Sequence, residues 1–134
     1  MKKILLNGLI VGAITGAINA VLAYLLGGSL LETPYAGPDT TEPVPVGQFA
    51  VASAIFSLVL VFIGALILGL LYRWKPNSAV RIWTIIGVVF LILYGIFPFA
   101  APVASIKAGI LSNLLHLVAG FGALYYIPKR SGLQ

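Results

Sequence analysis

Among the polar side chains that interrupt the apolar stretches of the sequence, five are the candidates for chemistry: Thr15, Asn19, Ser57, Asn113 and His116. His116 is the only histidine, and an imidazole can transfer a proton or ligate a metal. Unpartnered polar groups are costly in lipid, so such residues face a bundle interior or a functional site. Their interpretation therefore depends on the elements that hold them.

The composition is that of an integral membrane protein. Of 134 residues, 60% are hydrophobic and 8% are charged, and the mean hydropathy is +1.09. A soluble domain is about 25% charged and has no means of hiding so much apolar surface. The length suits a single domain over residues 1–134. The chain has no cysteine, which excludes disulfides, iron–sulfur clusters and thiol catalysis.

Four apolar runs are long enough to cross a bilayer as helices, which takes roughly 17–25 residues each. They cover residues 4–26, 49–72, 80–97 and 106–127. A proline-rich outer loop, a tight basic turn and a short turn join them, at residues 27–48, 73–79 and 100–105. The sequence therefore predicts an all-α fold, a membrane-spanning four-helix bundle.

The basic residues predict the orientation of the bundle. Seven of the eight lie on one side, at the termini, in the basic turn or just inside the third helix: Lys2, Lys3, Arg73, Lys75, Arg81, Lys129 and Arg130. The other side holds Lys107 and all three acids, so the positive-inside rule predicts a plasma-membrane protein with both termini in the cytoplasm. Tyrosines and tryptophans near the span ends, Trp83 among them, fit an aromatic belt. The first run is longer than a signal-peptide core, and we expect it to be retained.

Small residues on the first helix predict close helix packing. Gly8, Gly12 and Gly16 repeat at every fourth position, which is a doubled GxxxG pattern that lets a second backbone approach. We expect this row to pack inside the bundle. The alternative is a homodimer face or a docking face for a partner subunit.

Depth along the helices predicts that the five polar residues form one cluster. At 1.5 Å per residue, Asn19, Ser57 and Asn113 fall roughly 10–12 Å below the outer end, and Thr15 and His116 about 15 Å below it. One interpretation is interhelical hydrogen bonding, with a neutral His116 bonded to Asn19 or Thr15. The other is a ligand site, which includes His116 as an axial ligand to a porphyrin or chlorin.

Several kinds of function lack the residues they require. No span contains a carboxylate for proton-coupled exchange or for a triad with Ser112 and His116. The sequence has no P-loop, no HExxH and no second histidine for zinc. The scattered charges do not form a nucleic-acid-binding patch. We therefore expect neither catalysis nor a metal site, no cofactor beyond the porphyrin alternative, and no nucleic-acid partner.

Short motifs along nearly the whole chain resemble those of an uncharacterised family of small bacterial four-helix membrane proteins, a family of unknown function. The motifs are AINAVLAYLLG, EPVPVGQFAVAS, RIWTIIGVVFLIL and LLHLVAG, with Asn19 and His116 as their most distinctive residues. The resemblance implies the four-helix fold and implies no activity.

Two functions fit these features. The first is an accessory or structural subunit, or an interaction partner, in a membrane assembly or a homo-oligomer. The second is binding or transport of a small ligand at the polar cluster beneath the outer loop. A carrier predicts a cavity that reaches the layer of Asn19 and His116. An accessory subunit predicts a tightly packed centre and an apolar outer face covered by a neighbour.

Overall fold

The structure is a computed structural model that describes residues 1–36, 42–100 and 105–133. Its helices are α1 (Lys2–Leu26), α2 (Val46–Trp74), α3 (Ala79–Ala100), α4 (Ile106–Phe121) and α5 (Ile127–Ser131), with a π-helical turn at Gly122–Tyr126 between the last two. Four segments are long and apolar enough to cross a membrane, since α4, the π-turn and α5 form one continuous segment. The predicted all-α four-helix fold is confirmed. Most of the predicted turn at residues 100–105 lies outside the described ranges.

Helix α1 packs on α2 through the glycine row. A Cβ atom added to Gly16 would lie 2.7 Å from the carbonyl oxygen of Ala54, and one added to Gly12 would lie 3.0 Å from that of Leu58. Gly8 faces the side chain of Ala65 in the same way. Only hydrogen atoms fit between these backbones, so the row serves helix packing within the chain.

The buried apolar core has two parts, and the polar residues lie between them. The outer cluster, at the end of the bundle near the loop of residues 27–48, contains Ala23, Ala50, Leu111 and Leu115. The inner cluster, at the end near the chain termini, is larger and contains Ile4, Val11, Val61, Ala65, Leu68, Ala79, Trp83, Ala123 and Ile127. On α1, Asn19 falls between the members of the two clusters, and on α2 Ser57 does the same. Apolar packing is therefore interrupted at this level of the bundle.

The π-turn changes which face of the fourth span meets the bundle. Pro128 is the second residue after it and has no N–H to bond the carbonyl group of Leu124, four residues earlier. A wider turn accommodates this lost hydrogen bond. It leaves Gly122 against Thr15 of α1 and keeps Ala123 and Ile127 in the inner cluster.

The outer loop is held at its base by an antiparallel pairing. The Thr33 hydroxyl donates to the Val44 carbonyl at 2.6 Å, and the Val44 N–H donates to the Pro34 carbonyl at 2.8 Å. An exposed ion pair of 3.9 Å between Lys107 and Glu32 connects the loop to the start of α4. Such exposed pairs contribute little, so of these two contacts the backbone pairing restrains the loop more.

At the inner end, a buried hydrogen bond connects the two ends of the chain. Asn7 Nδ2 donates to Ser131 Oγ at 3.1 Å. We expect Asn7→Ala and Ser131→Ala to lower the free energy of unfolding by roughly 0.5–1.5 kcal/mol each. A double-mutant cycle should give a coupling energy of about 0.6 kcal/mol.

Reversible unfolding in mixed detergent micelles measures this coupling. Ser29→Ala is the control, because the exposed Ser29 hydroxyl bonds carbonyl groups at the end of the preceding helix α1 and does not connect the two ends of the chain. Strict additivity of the Asn7 and Ser131 variants would contradict the prediction.

Candidate functional site

Asn19 joins three helices at the level where apolar packing is interrupted. Its Nδ2 donates to Ser57 Oγ of α2 at 2.6 Å and to the Leu115 carbonyl of α4 at 2.9 Å. The residue is only 1% exposed. A backbone carbonyl can only accept a hydrogen bond, so the contact with Leu115 fixes which end of the carboxamide is the nitrogen.

The other end of the same carboxamide is unsatisfied. Asn19 Oδ1 is buried and has no hydrogen-bond partner among the residues that the structure describes. Leaving a buried acceptor unpaired costs about 1–3 kcal/mol, and such groups are rare in folded proteins. A hydrogen-bond donor supplied to this oxygen would therefore be stabilising.

His116 directly follows Leu115, the α4 residue that is bonded to Asn19. Its Nδ1 is 2.6 Å from the Ser112 carbonyl oxygen, so Nδ1 donates to that oxygen, and in the neutral tautomer Nε2 is then an acceptor. The ring packs on Tyr94 with 4.5 Å between centroids. The hydrogen bond goes to the preceding turn of its own helix, and not to Asn19 or Thr15, the partners expected from depth alone.

Thr15 and Asn113 lie at the predicted depths but have other partners. The Thr15 hydroxyl donates to the Val11 carbonyl of its own helix at 2.9 Å, as threonine readily does inside a helix. Asn113 Nδ2 donates to the Gly95 carbonyl at 3.1 Å and connects α4 with α3. The structure therefore brings together Asn19, Ser57 and His116 of the five predicted residues.

A cavity of about 330 Å³ adjoins these three residues. Pro34 and Val44 of the outer loop cover its outer end. Phe56, Leu60 and Tyr94 belong to its wall and are also exposed on the outer surface of the helices, so it opens sideways toward lipid. None of the described residues in its wall carries a charge. The remaining wall residues are Phe49, Ala52, Ser53, Ser112, Leu115 and Ala119.

A smaller cavity of about 100 Å³ lies beside it, closer to the inner end of the bundle. The two cavities share Leu60, His116 and Ala119 as wall residues. The wall of the inner cavity includes Trp83, whose Nε1 is buried without a hydrogen-bond partner in the described part of the chain.

The placement of Trp83 corrects its assignment to an aromatic belt. Its side chain is 5% exposed and packs in the inner cluster, where its ring lies against Gly64. A leucine or valine at position 64 would leave no room for the Trp83 ring, because an added Cβ atom would already lie 2.6 Å from it. The small residue on α2 was the sequence signal for the buried tryptophan, and only the structure connects the two.

The comparisons with known proteins identify the family. One family model matches residues 2–131, nearly the whole chain. The chain belongs to DUF6069, a family of unknown function. The predicted resemblance to a family of unknown function with four apolar helices is thus confirmed. No curated protein and no solved structure matches the chain.

The site of this DUF6069 protein offers hydrogen-bonding groups without charge. Asn19 Oδ1 and His116 Nε2 accept, and the Ser57 hydroxyl still has its own proton to donate after accepting from Asn19. In the described ranges, no group of three or more His, Cys, Asp or Glu could hold a metal ion. The arrangement suits recognition of a neutral molecule by hydrogen bonds.

Proposed function

We propose that this DUF6069 protein binds a small, neutral, lipophilic ligand inside the membrane, as a non-catalytic binding or transport protein. The observation that carries the proposal is a cavity whose wall includes Asn19, with the Oδ1 of that residue buried and unpaired among the described residues. A ligand with a hydrogen-bond donor would satisfy this oxygen once the side chain turns it toward the cavity. The cavity of about 330 Å³ falls in the size range of small-molecule sites, roughly 300–1,000 Å³.

The character of the wall supports a neutral ligand. The described wall residues carry no charge, and Asn19 lies roughly 10 Å below the outer end of α1 at 1.5 Å per residue. A charged ligand at this depth would lose its hydration without gaining an opposite charge.

The sideways opening supports entry from the bilayer. A molecule dissolved in lipid is already surrounded by apolar groups, so apolar contact with the protein adds to its affinity mainly where it fills an otherwise empty cavity. Hydrogen bonds to Asn19 and its neighbours then discriminate ligands that have a donor from ligands that lack one.

The proposed location is the cell membrane, with both termini in the cytoplasm. The hydrogen bond between Asn7 and Ser131 puts the two ends of the chain at one end of the bundle. The seven basic residues belong to this end, which the positive-inside rule assigns to the cytoplasm.

An accessory role in a larger membrane assembly is the second candidate. The supporting observation is the low burial of helix α3. Of the most apolar 18 residues in this helix, 11% are buried, against 33% in α1 and in α2. Ile85, Val89 and Ile92 of α3 are exposed. A neighbouring subunit or a second copy would cover this face, whereas a solitary protein would leave it to lipid.

Photolabelling in lipid nanodiscs tests the ligand proposal. The probe is benzyl alcohol carrying a diazirine, and its methyl ether is the reference that lacks a donor. We expect the alcohol to label the cavity wall on α2 and α4 more strongly than the ether. Ala52→Leu should lower this labelling by filling the cavity, and Ala17→Leu, on an exposed face of α1, should not. Equal, diffuse labelling of all exposed faces by both probes would contradict the proposal.

The porphyrin or chlorin at His116 stays a separate prediction with its own measurement. His116 Nε2 is the nitrogen able to ligate, because Nδ1 donates to Ser112. A visible absorption band in protein purified gently from its own membranes, lost in His116→Ala, would support it. A colourless wild-type sample would overturn it.

A further inference from the structure

We infer that the ligand is a single-chain alcohol, with its hydroxyl group at Asn19 and its alkyl or isoprenyl chain extending inward past His116 to Trp83. This inference rests on the proposed ligand-binding function and specifies the shape and chemistry of the ligand. It uses the inner cavity, which the hydrogen-bonding site itself does not require.

The two cavities are neighbours of different volume. The outer one, of about 330 Å³, contains the hydrogen-bonding groups, and the inner one, of about 100 Å³, adjoins it at Leu60, His116 and Ala119. An engineered protein cavity of about 150 Å³ holds one benzene molecule. The inner cavity is smaller than that, so it suits the end of a chain better than a ring.

The polar groups are placed for a head group in the outer cavity. Asn19 Oδ1 and His116 Nε2 are both acceptors, so the head group must donate a hydrogen bond. A hydroxyl group can do this and can accept from Ser57 in return. A fatty-acid carboxylate would bring a negative charge to two acceptors, and no described wall residue offers a positive charge.

Depth and chain length argue against a phospholipid. The residues that carry the acceptors, Asn19 and His116, lie roughly 10 Å and 15 Å below the outer end of the helices, too deep for a head group that stays in the interface. From Ser57 to Gly64, the α2 residue beside Trp83, helix α2 rises by about 10 Å at 1.5 Å per residue. One chain of moderate length therefore covers the distance between the acceptors and the end of the inner cavity.

A homologous series of alcohols tests the inference. Linear alcohols from n-butanol to n-dodecanol compete with the diazirine alcohol in nanodiscs, each at a measured concentration in the membrane. Filling a cavity is worth about 24 cal/mol per Å³, so occupancy of the inner cavity should raise affinity by tenfold or more between short and long alcohols. Beyond the length that fills the inner cavity, affinity should level off or fall.

Two variants should move the length at which affinity levels off, in opposite directions. Ala119→Leu narrows the junction, and the series should level off at a shorter alcohol. Leu124→Ala enlarges the inner cavity, and the series should level off at a longer one. Ala17→Leu, on an exposed face of α1, is the control and should keep the wild-type series.

The outcomes separate this inference from the function on which it rests. A flat series in the wild type, with competition by every alcohol, would overturn the single-chain assignment and leave ligand binding standing. Equal competition by the n-octyl alcohol and its methyl ether would overturn the hydroxyl assignment. No competition by any alcohol, with labelling equal to that of the ether probe, would overturn the proposed function itself.

Discussion

Replacing Gly16 with leucine should force α1 away from α2 and lower the free energy of unfolding by about 3 kcal/mol, the upper end of the usual range for overpacking. The reason is the nature of the neighbour. An added Cβ atom would lie 2.7 Å from the carbonyl oxygen of Ala54, and a backbone atom moves only when its helix moves. Unfolding in mixed micelles measures the loss, and Gly16→Ala should show a smaller one.

Ala17→Leu is the matched control for the Gly16 variant. It adds the same side chain one residue further along α1, on an exposed face, and should change stability by no more than about 0.5 kcal/mol. A Gly16→Leu protein that stays as stable as the wild type but no longer self-associates would contradict our account. That result would favour the alternative in which the glycine row is a homodimer face.

Asn19→Leu should weaken binding of the alcohol probe by about tenfold, because a hydrogen bond inside a membrane is worth up to about 1–2 kcal/mol. Stability should change less than binding. The variant loses the bonds to Ser57 and Leu115, and it also removes the cost of an unpaired oxygen. Photolabelling for binding and micelle unfolding for stability give the two numbers separately.

Asn113→Leu is the control for the Asn19 variant, since it makes the same change at a similar depth. Asn113 bonds Gly95 of α3 and is not in the wall of either cavity. It should weaken packing between α3 and α4 and leave probe affinity within about twofold, under 0.5 kcal/mol. Equal losses of affinity in both variants would show that the Asn19 effect is not local.

The spans were predictable because length and hydropathy are local properties of the sequence. Prolines and the basic turn mark where the chain changes direction, and the helices begin and end near the predicted limits. Helix α2 begins at Val46, directly after Pro45, and so includes three residues that were assigned to the loop. Depth also followed from the sequence, since Asn19 and Ser57 lie at one level and are bonded.

The side of the helix on which each polar side chain meets its neighbours was not predictable in the same way. Thr15 and His116 share a depth, but Thr15 faces Gly122 and bonds its own backbone, and His116 faces the cavity. The π-turn before Pro128 shifts the face of the fourth span, and no hydropathy pattern marks it. The cavity also depends on how α3 packs, which is a property of the assembled bundle.

The central claim is that the cavity at Asn19 holds a neutral ligand, and native mass spectrometry tests it most directly. The protein would be extracted gently from its own membranes into nanodiscs and weighed intact, as the wild type, Asn113→Leu and Asn19→Leu. Our account predicts one small neutral molecule per chain in the first two and its loss in Asn19→Leu. Protein without such a molecule in all three samples would contradict it, and a discrete larger complex with another subunit in its place would favour the accessory role.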